Sequence, residues 1–425
     1  MGPSKDFVDN HASVFHREAE IELGEETLPV EISLSEGGKL TLETSRTGAD
    51  TEGLETQVYP EVTGTTEEGE QVIITDLFCF ADELLTLNPQ VIEICRNPDR
   101  IVEGEEVMLR ADVLGFQYKK PTFYDPNDNL ELIERTDWRV GGGNHADWKI
   151  IAKPFPEYET RINSIQNYQN LVRTVQFEVS ISGVFGGLTR VAAVTDKILE
   201  KVTWVSSLVQ GTLPSYSILE LYEGEDAEYV QLRSLASNVG GCCRRSHLLL
   251  FMPQHELPAY LDRALERYEE VEDRLELRKI LGFYVDSLHP SRPVDVKFTN
   301  LCIATEMLAN KYLPDQGSTE DQIKALINEL DIDFMDLIPE GGSLRTQFGT
   351  DLEDLPENIT LEYFWFKARN HVIHGGREIT TQEIILDYQA LLVLLRRILR
   401  EIILQGDTDG LHGLNELKTE DFISR

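Results

Sequence analysis

Apolar and polar positions alternate with period two through most of the first 250 residues. Residues 19–23, 29–34 and 39–44 alternate, as do 107–114, 172–182 and 197–205. Later runs of the same kind are 216–222, 229–235 and 246–252. Val, Ile, Thr and aromatic residues fill them, and Gly, Asp and Asn separate them. This pattern predicts antiparallel strands in a sandwich-like arrangement. Two stretches depart from it. Residues 76–87 read as a short helix. Residues 121–147 read as a long polar loop holding Trp138 and Gly141-Gly142-Gly143, and a break near 120–147 would divide this half into two β units.

After Pro253 the period becomes 3.6. Residues 257–288 read as one long helix, with Leu261, Leu265, Tyr268, Val271, Leu275 and Ile280 on its apolar stripe. His289-Pro290 ends it. Residues 294–313 form a second helix, and a third opens at Ser318 or Thr319 and runs to about Leu330. A loop rich in Asp, Gly and Pro follows. A fourth helix covers 359–374 and stops at Gly375-Gly376. Thr380 with Glu383 has the spacing of a capping box and opens a fifth helix through Leu404. The predicted fold class is therefore α+β and multidomain. A β-rich half over 1–252, in a sensing or regulatory place, precedes an all-α bundle over 253–405 and a tail over 406–425.

Composition changes this picture in one respect. The chain of 425 residues carries 75 Asp plus Glu against 39 Lys plus Arg, a net charge of −36. The excess is −21 over residues 1–254 and −15 over 255–425, so it is spread along the chain. Only 14 of the basic residues are Lys, against 25 Arg. A dispersed carboxylate surface poor in lysine fits a halophilic host, where salt screens the self-repulsion. The same field disfavours broad, sequence-independent binding to nucleic acid. Five scattered cysteines without a CxxC pair make neither a disulfide framework nor a zinc ribbon. No run of 18 uncharged apolar residues is present and residues 1–20 lack an apolar leader core, so the expectation is a cytoplasmic protein without membrane contact.

Most chemical motifs are absent. There is no P-loop, no GxGxxG, no HExxH and no GxSxG. One segment stands out: Lys367-Ala368-Arg369-Asn370-His371-Val372-Ile373-His374-Gly375-Gly376. Arg369 keeps its charge and can fork two phosphate oxygens. His374 can exchange a proton near neutrality. The bland reading of a histidine before Gly-Gly is a helix-end cap. Residues 360–405 carry six basic and five acidic residues, a local balance of +1. Arg396, Arg397 and Arg400 lie within two helical turns and would join Lys367 and Arg369 in a phosphate-friendly surface; otherwise they are solubilising charges favoured near a helix C-terminus. Trp138, His145 and Trp148 near the triple glycine line a recognition surface or, more simply, pack a loop.

Arg369-Asn370 followed by His374 resembles the Rx4–6H motif of HEPN domains, and Arg369 to Gly376 looks like the corresponding segment of the ApeA-like HEPN family. Residues 284–288 and 297–308 resemble the helix pair ahead of that motif, with Glu306 in the place of a recurrent acidic residue. The resemblance spans about 255–405. It implies a bundle of four or five helices, a metal-independent endoribonuclease without cofactor, and a homodimer whose composite site pairs two copies of Arg369 and His374. Asn370 would assist catalysis, and Glu306 and His371 would orient the site. It further implies an RNA substrate, tRNA among the candidates, and a defence or toxin-like role released by an unknown trigger such as a phage component. The alternative is a non-catalytic HEPN module for dimerisation or for binding RNA or a nucleotide, with the β-rich half as interaction platform.

Overall fold

The computed structural model describes residues 8, 11–45, 56–81, 85–117, 129–139, 145–168, 171–224, 226–235, 256–315, 317–332 and 380–404. The chain divides into two compact units. One gathers Met1–Thr203 with Pro214–Gly240, the other Trp204–Leu213 with Gly241–Arg425. The fold is α+β. No described helix is long and apolar enough to cross a membrane.

The first unit opens with strands β1 (Ser13–Leu23), β2 (Glu26–Ser35), β3 (Leu40–Glu43), β4 (Gln57–Thr66), β5 (Gln71–Ala81) and β6 (Leu85–Asn88). They pair antiparallel in the cyclic order β5-β4-β1-β2-β3-β6 and back to β5, a closed six-stranded barrel in place of the expected sandwich. Alternation selects the interior: Ile21, Leu23, Leu28, Ile32, Leu34, Val72 and Ile74 are all buried within one core cluster. Closure leaves these strands without free edges. The β1–β4 seam is short, with Ala19, Glu20 and Ile21 opposite Thr66, Thr65 and Gly64. A methyl group at Gly64 would sit 2.3 Å from the Glu20 carbonyl oxygen, so the close approach of the two strands requires glycine there.

Of residues 76–87, expected to be helical, 76–81 belong to strand β5 and 85–87 to strand β6, and 82–84 lie outside the described residues. The disagreement traces to Asp76, whose φ of 51° is left-handed. Before it, β5 pairs with β7 (Val91–Cys95) and buries Val72 and Ile74; after it, β5 pairs with β6 and buries Leu77 and Cys79. One left-handed residue shifts the inward phase by one position. A strand that changes phase midway no longer shows plain alternation, and its sequence imitates a helix.

From β7 the sheet continues through β15 (Asp226–Arg233), β14 (Ser215–Glu223), β9 (Val107–Leu114), β12 (Arg173–Ser182), β11 (His145–Pro154) and β10 (Leu130–Arg139), every pair antiparallel. β8 (Ile101–Glu103) and β13 (Phe185–Gly187) form a separate two-stranded ribbon. About half of the expected polar loop at 121–147 is thus strand, at β10 and the start of β11; residues 118–128 and 140–144 lie outside the described set. Helix α1 covers Tyr158–Tyr168 and helix α2 Leu188–Gln210. The strand expected at 197–205 belongs to α2. Its valines and threonine favour strands locally, but Ile198, Leu199, Val202, Val205, Leu208 and Val209 bury at helical spacing, and burial overrides propensity. Asp196 of α2 accepts from the Tyr216 hydroxyl of β14 and pairs with Arg233 of β15, fixing the helix on its sheet. Glu36, 4% exposed, receives Arg161 of α1 and two hydrogen bonds from the Arg173 guanidinium, at 3.1 and 2.8 Å.

The second unit is helical: α3 (Glu256–Leu275), α4 (Leu277–Leu288), α5 (Val294–Tyr312), α6 (Thr319–Glu329) and α7 (Thr381–Leu404), with Trp204–Leu213 joining them. The expected single helix over 257–288 is two helices. Glu276 between them has φ 51° and ψ 42°, and its carboxylate holds Lys279 Nζ at 2.7 Å and Lys311 Nζ at 2.5 Å. The apolar stripe runs straight through this break, which is why periodicity did not register it. Ser318 caps α6 in a capping box with Asp321, and Thr380 caps α7 with Glu383. The expected strand at 246–252 and the expected fourth helix at 359–374 lie outside the described residues.

Candidate functional site

Lys367, Arg369, Asn370, His371 and His374 all fall within 333–379, outside the described residues. The structure describes the other four predicted positions, Glu306, Arg396, Arg397 and Arg400, and the framework around them.

Glu306 sits half-buried on α5, next to Thr305, whose hydroxyl donates to the Leu301 carbonyl at 2.8 Å. α5 packs against both α4 and α7, so Glu306 rides on the central helix of the described bundle.

The three arginines of α7 do not share a surface. Arg396 is fully buried, whereas Arg397 and Arg400 are half-buried. Arg400 is held by Glu401, with Nη2 2.6 Å from Oε1. Arg396 points into the bundle. Its Nε donates to the Tyr284 hydroxyl at 2.9 Å, and its guanidinium carbon lies 5.6 Å from the centre of that ring. Tyr284 in turn donates to the Leu208 carbonyl at 3.0 Å. A guanidinium taken out of water needs such partners, because desolvating it costs several kcal/mol. The reading of Arg396 as a phosphate ligand on an exposed face is therefore corrected to one of internal support.

A polar spine follows from this arrangement. Tyr260 donates to the Val205 carbonyl at 3.0 Å, Ser287 Oγ to the Tyr284 carbonyl at 2.5 Å, and Tyr388 of α7 to the Ser287 carbonyl at 3.1 Å. Burial pushes the Tyr260 phenol well above its usual range, so it stays protonated and remains a donor. Sequence reasoning picked out 284–288 as a segment but assigned Tyr284 and Ser287 no role. The available signal was a run of tyrosines on an otherwise aliphatic stripe, since a buried phenol needs a partner.

No family model, no curated protein and no solved structure matches this chain. α7 begins at a capping box six residues after His374, and its apolar face is anchored by Tyr388 and Arg396 on one helix pair.

Trp138, His145 and Trp148 occupy strands, not a loop. Trp138 on β10 meets Trp148 on β11 edge to face, with centroids 6.0 Å apart and planes at 88°. Arg135 stacks over Trp138 at 5.0 Å, and His145 Nδ1 lies 2.9 Å from the Asp137 carbonyl oxygen. Trp148 is 3% exposed. The group packs the end of a bulged hairpin.

Proposed function

We propose that the protein is a metal-independent endoribonuclease of HEPN type, acting in defence or in a toxin-like role. The observation that carries this reading is the segment Arg369-Asn370 to His374-Gly375-Gly376, placed directly ahead of a capped bundle helix. A local charge balance of +1 over 360–405, in a chain of −36, supports it.

The chemistry needs little apparatus. The ribose 2′-OH attacks the adjacent phosphorus, forming the 2′-O–P bond as the P–O5′ bond breaks. One His374 takes the 2′ proton and a second protonated His374, from a second copy of the chain, delivers a proton to the 5′ oxygen. Arg369 forks the phosphoryl oxygens as their charge grows. Asn370 assists by hydrogen bonding, and Glu306 and His371 orient the pair. The products are a 2′,3′-cyclic phosphate and a 5′-OH end. Lys367, Arg397 and Arg400 remain the phosphate-contacting set once Arg396 is committed to Tyr284. RNA, with tRNA among the candidates, is the substrate; the trigger is a phage component or another signal received by the β-rich unit.

The test is expression of the wild type beside Arg369→Ala and His374→Ala, with growth and RNA ends followed together. The expected result is RNA carrying cyclic-phosphate ends in the wild type, absent in both variants. Intact RNA in all three strains, infected or not, overturns the nuclease reading in favour of a non-catalytic binding module.

A further inference from the structure

A cleft of about 250 Å³ lies among β1, the β4–β5 turn, β7, β14 and β15. Phe15 and Arg17 reach it from β1, Glu70 from the β4–β5 hairpin, Arg96 from the end of β7, Tyr222 from β14 and Asp226 from β15. Ile94 and Val230 border it as well. Val230 of β15 and Ile94 of β7 are buried in the same apolar cluster as the barrel interior, so they give the cleft an apolar side.

The charges around it are arranged unusually. Arg17 Nε lies 4.0 Å from Glu70, and Arg96 Nε lies 3.6 Å from the same carboxylate. Arg96 Nη1 is 3.8 Å from Asp226. All three separations exceed a hydrogen bond, so these ions attract one another without joining. The Glu70 side chain is only 8% exposed, while those of Arg17 and Arg96 are 42% and 43% exposed. Arg17 also donates from Nη1 to the His16 carbonyl at 3.2 Å and stacks over Phe15 at 5.5 Å, so it offers a ligand its remaining N–H groups beside the half-exposed Arg96 fork. Two cations and two carboxylates make the cleft locally neutral on a chain of −36. A simple anion would meet Glu70 and Asp226, and a simple cation would meet both arginines. A molecule carrying both charges on one small frame satisfies the whole set. The volume lies below the roughly 300–1,000 Å³ of pockets for drug-sized ligands.

We propose that this cleft binds a free α-amino acid with an apolar or aromatic side chain. Its carboxylate is taken by the arginine pair, its ammonium by the carboxylates, and its side chain by Phe15, Ile94 and Val230. This inference does not depend on the ribonuclease reading.

The test is calorimetric titration of the full chain with L-phenylalanine and L-leucine, and with two truncated probes, phenethylamine and 3-phenylpropanoate. The expected result is binding of at least one amino acid, with both truncated probes weaker by about tenfold or more. Arg96→Ala and Asp226→Asn, each with an unchanged melting temperature in the absence of ligand, should each lose about tenfold in affinity. Should Arg96→Ala melt lower, the exposed Asp226→Asn alone decides. Equal or tighter binding of 3-phenylpropanoate overturns the zwitterion assignment. No heat from either amino acid at millimolar concentration, or full affinity in a folded variant, overturns the site.

Discussion

Arg396 donates from Nε to the Tyr284 hydroxyl at 2.9 Å inside the helical unit, and that hydroxyl donates onward to the Leu208 carbonyl. The pair binds α7 to α4 through a charge that never meets water. Arg396→Ala leaves a void and strips the phenol of a donor, and should cost about 3 kcal/mol. Arg397→Ala, one position along and half-buried, should stay within about 0.5 kcal/mol. Urea unfolding of the two variants checks this; equal effects would contradict the assigned roles.

Glu276 joins two helices in a left-handed conformation and is held by Lys279 and Lys311, which pull its carboxyl down to about 2. A folded-state value below the unfolded one means the contribution is present above pH 4.5 and fades as the pH falls toward 2. Carbon-detected titration should place the Glu276 carboxyl near 2 in the wild type. It should return toward the ordinary carboxylate value in a Lys279→Ala, Lys311→Ala double variant. An unshifted carboxyl in the wild type would remove this contact from the account of the helix break.

The barrel depends on two unusual backbone positions. Gly64→Ala forces a methyl group against the Glu20 carbonyl in the short β1–β4 seam and should cost about 2 kcal/mol or more. Asp76→Val places a β-branched residue at φ 51° and should cost about 1–2 kcal/mol, whereas Asp76→Gly should be neutral or stabilising. Denaturant midpoints measure all three, and a tolerated Gly64→Ala would argue against the closed seam.

The acidity of the chain bears on stability as well as on binding. Raising KCl from about 0.15 M to about 2 M shortens the screening length from about 8 Å to below 3 Å and weakens repulsion among the excess carboxylates. The melting temperature should rise by several degrees over that range. A flat or falling curve would place the protein in an ordinary ionic environment.

Period-two runs located β9 and β14 to within a residue, because apolar residues recur at alternate positions along part of each strand, although 111–114 and 216–219 are buried on both faces. Capping residues marked the starts of α6 and α7 for a similarly local reason: the side chain that ends the hydrogen-bond deficit lies within three residues of it. The segment around Arg369 and His374 was legible as chemistry, since residue type and spacing are all that such a motif consists of. The fate of Arg396 was not legible. Its neighbours in sequence, Arg397 and Arg400, look the same on paper, and only the approach of Tyr284, 112 residues away, turns it inward. The cleft at Arg17, Glu70 and Arg96 was equally hidden, because its members come from five separate elements and carry no shared spacing.

By itself, then, the sequence determined what depends on near neighbours: the α+β division, the capped helix starts, the amphipathic faces, the dispersed negative charge and the candidate phosphate chemistry. Only the tertiary structure decided what depends on residues far apart in the chain. It closed six strands into a barrel, turned 197–205 from strand to helix, broke the long helix at Glu276 and set two arginines against a buried glutamate. The reason is common to all four. Burial and long-range pairing act at each position with more energy than local propensity does, and they come from partners that a local window does not contain.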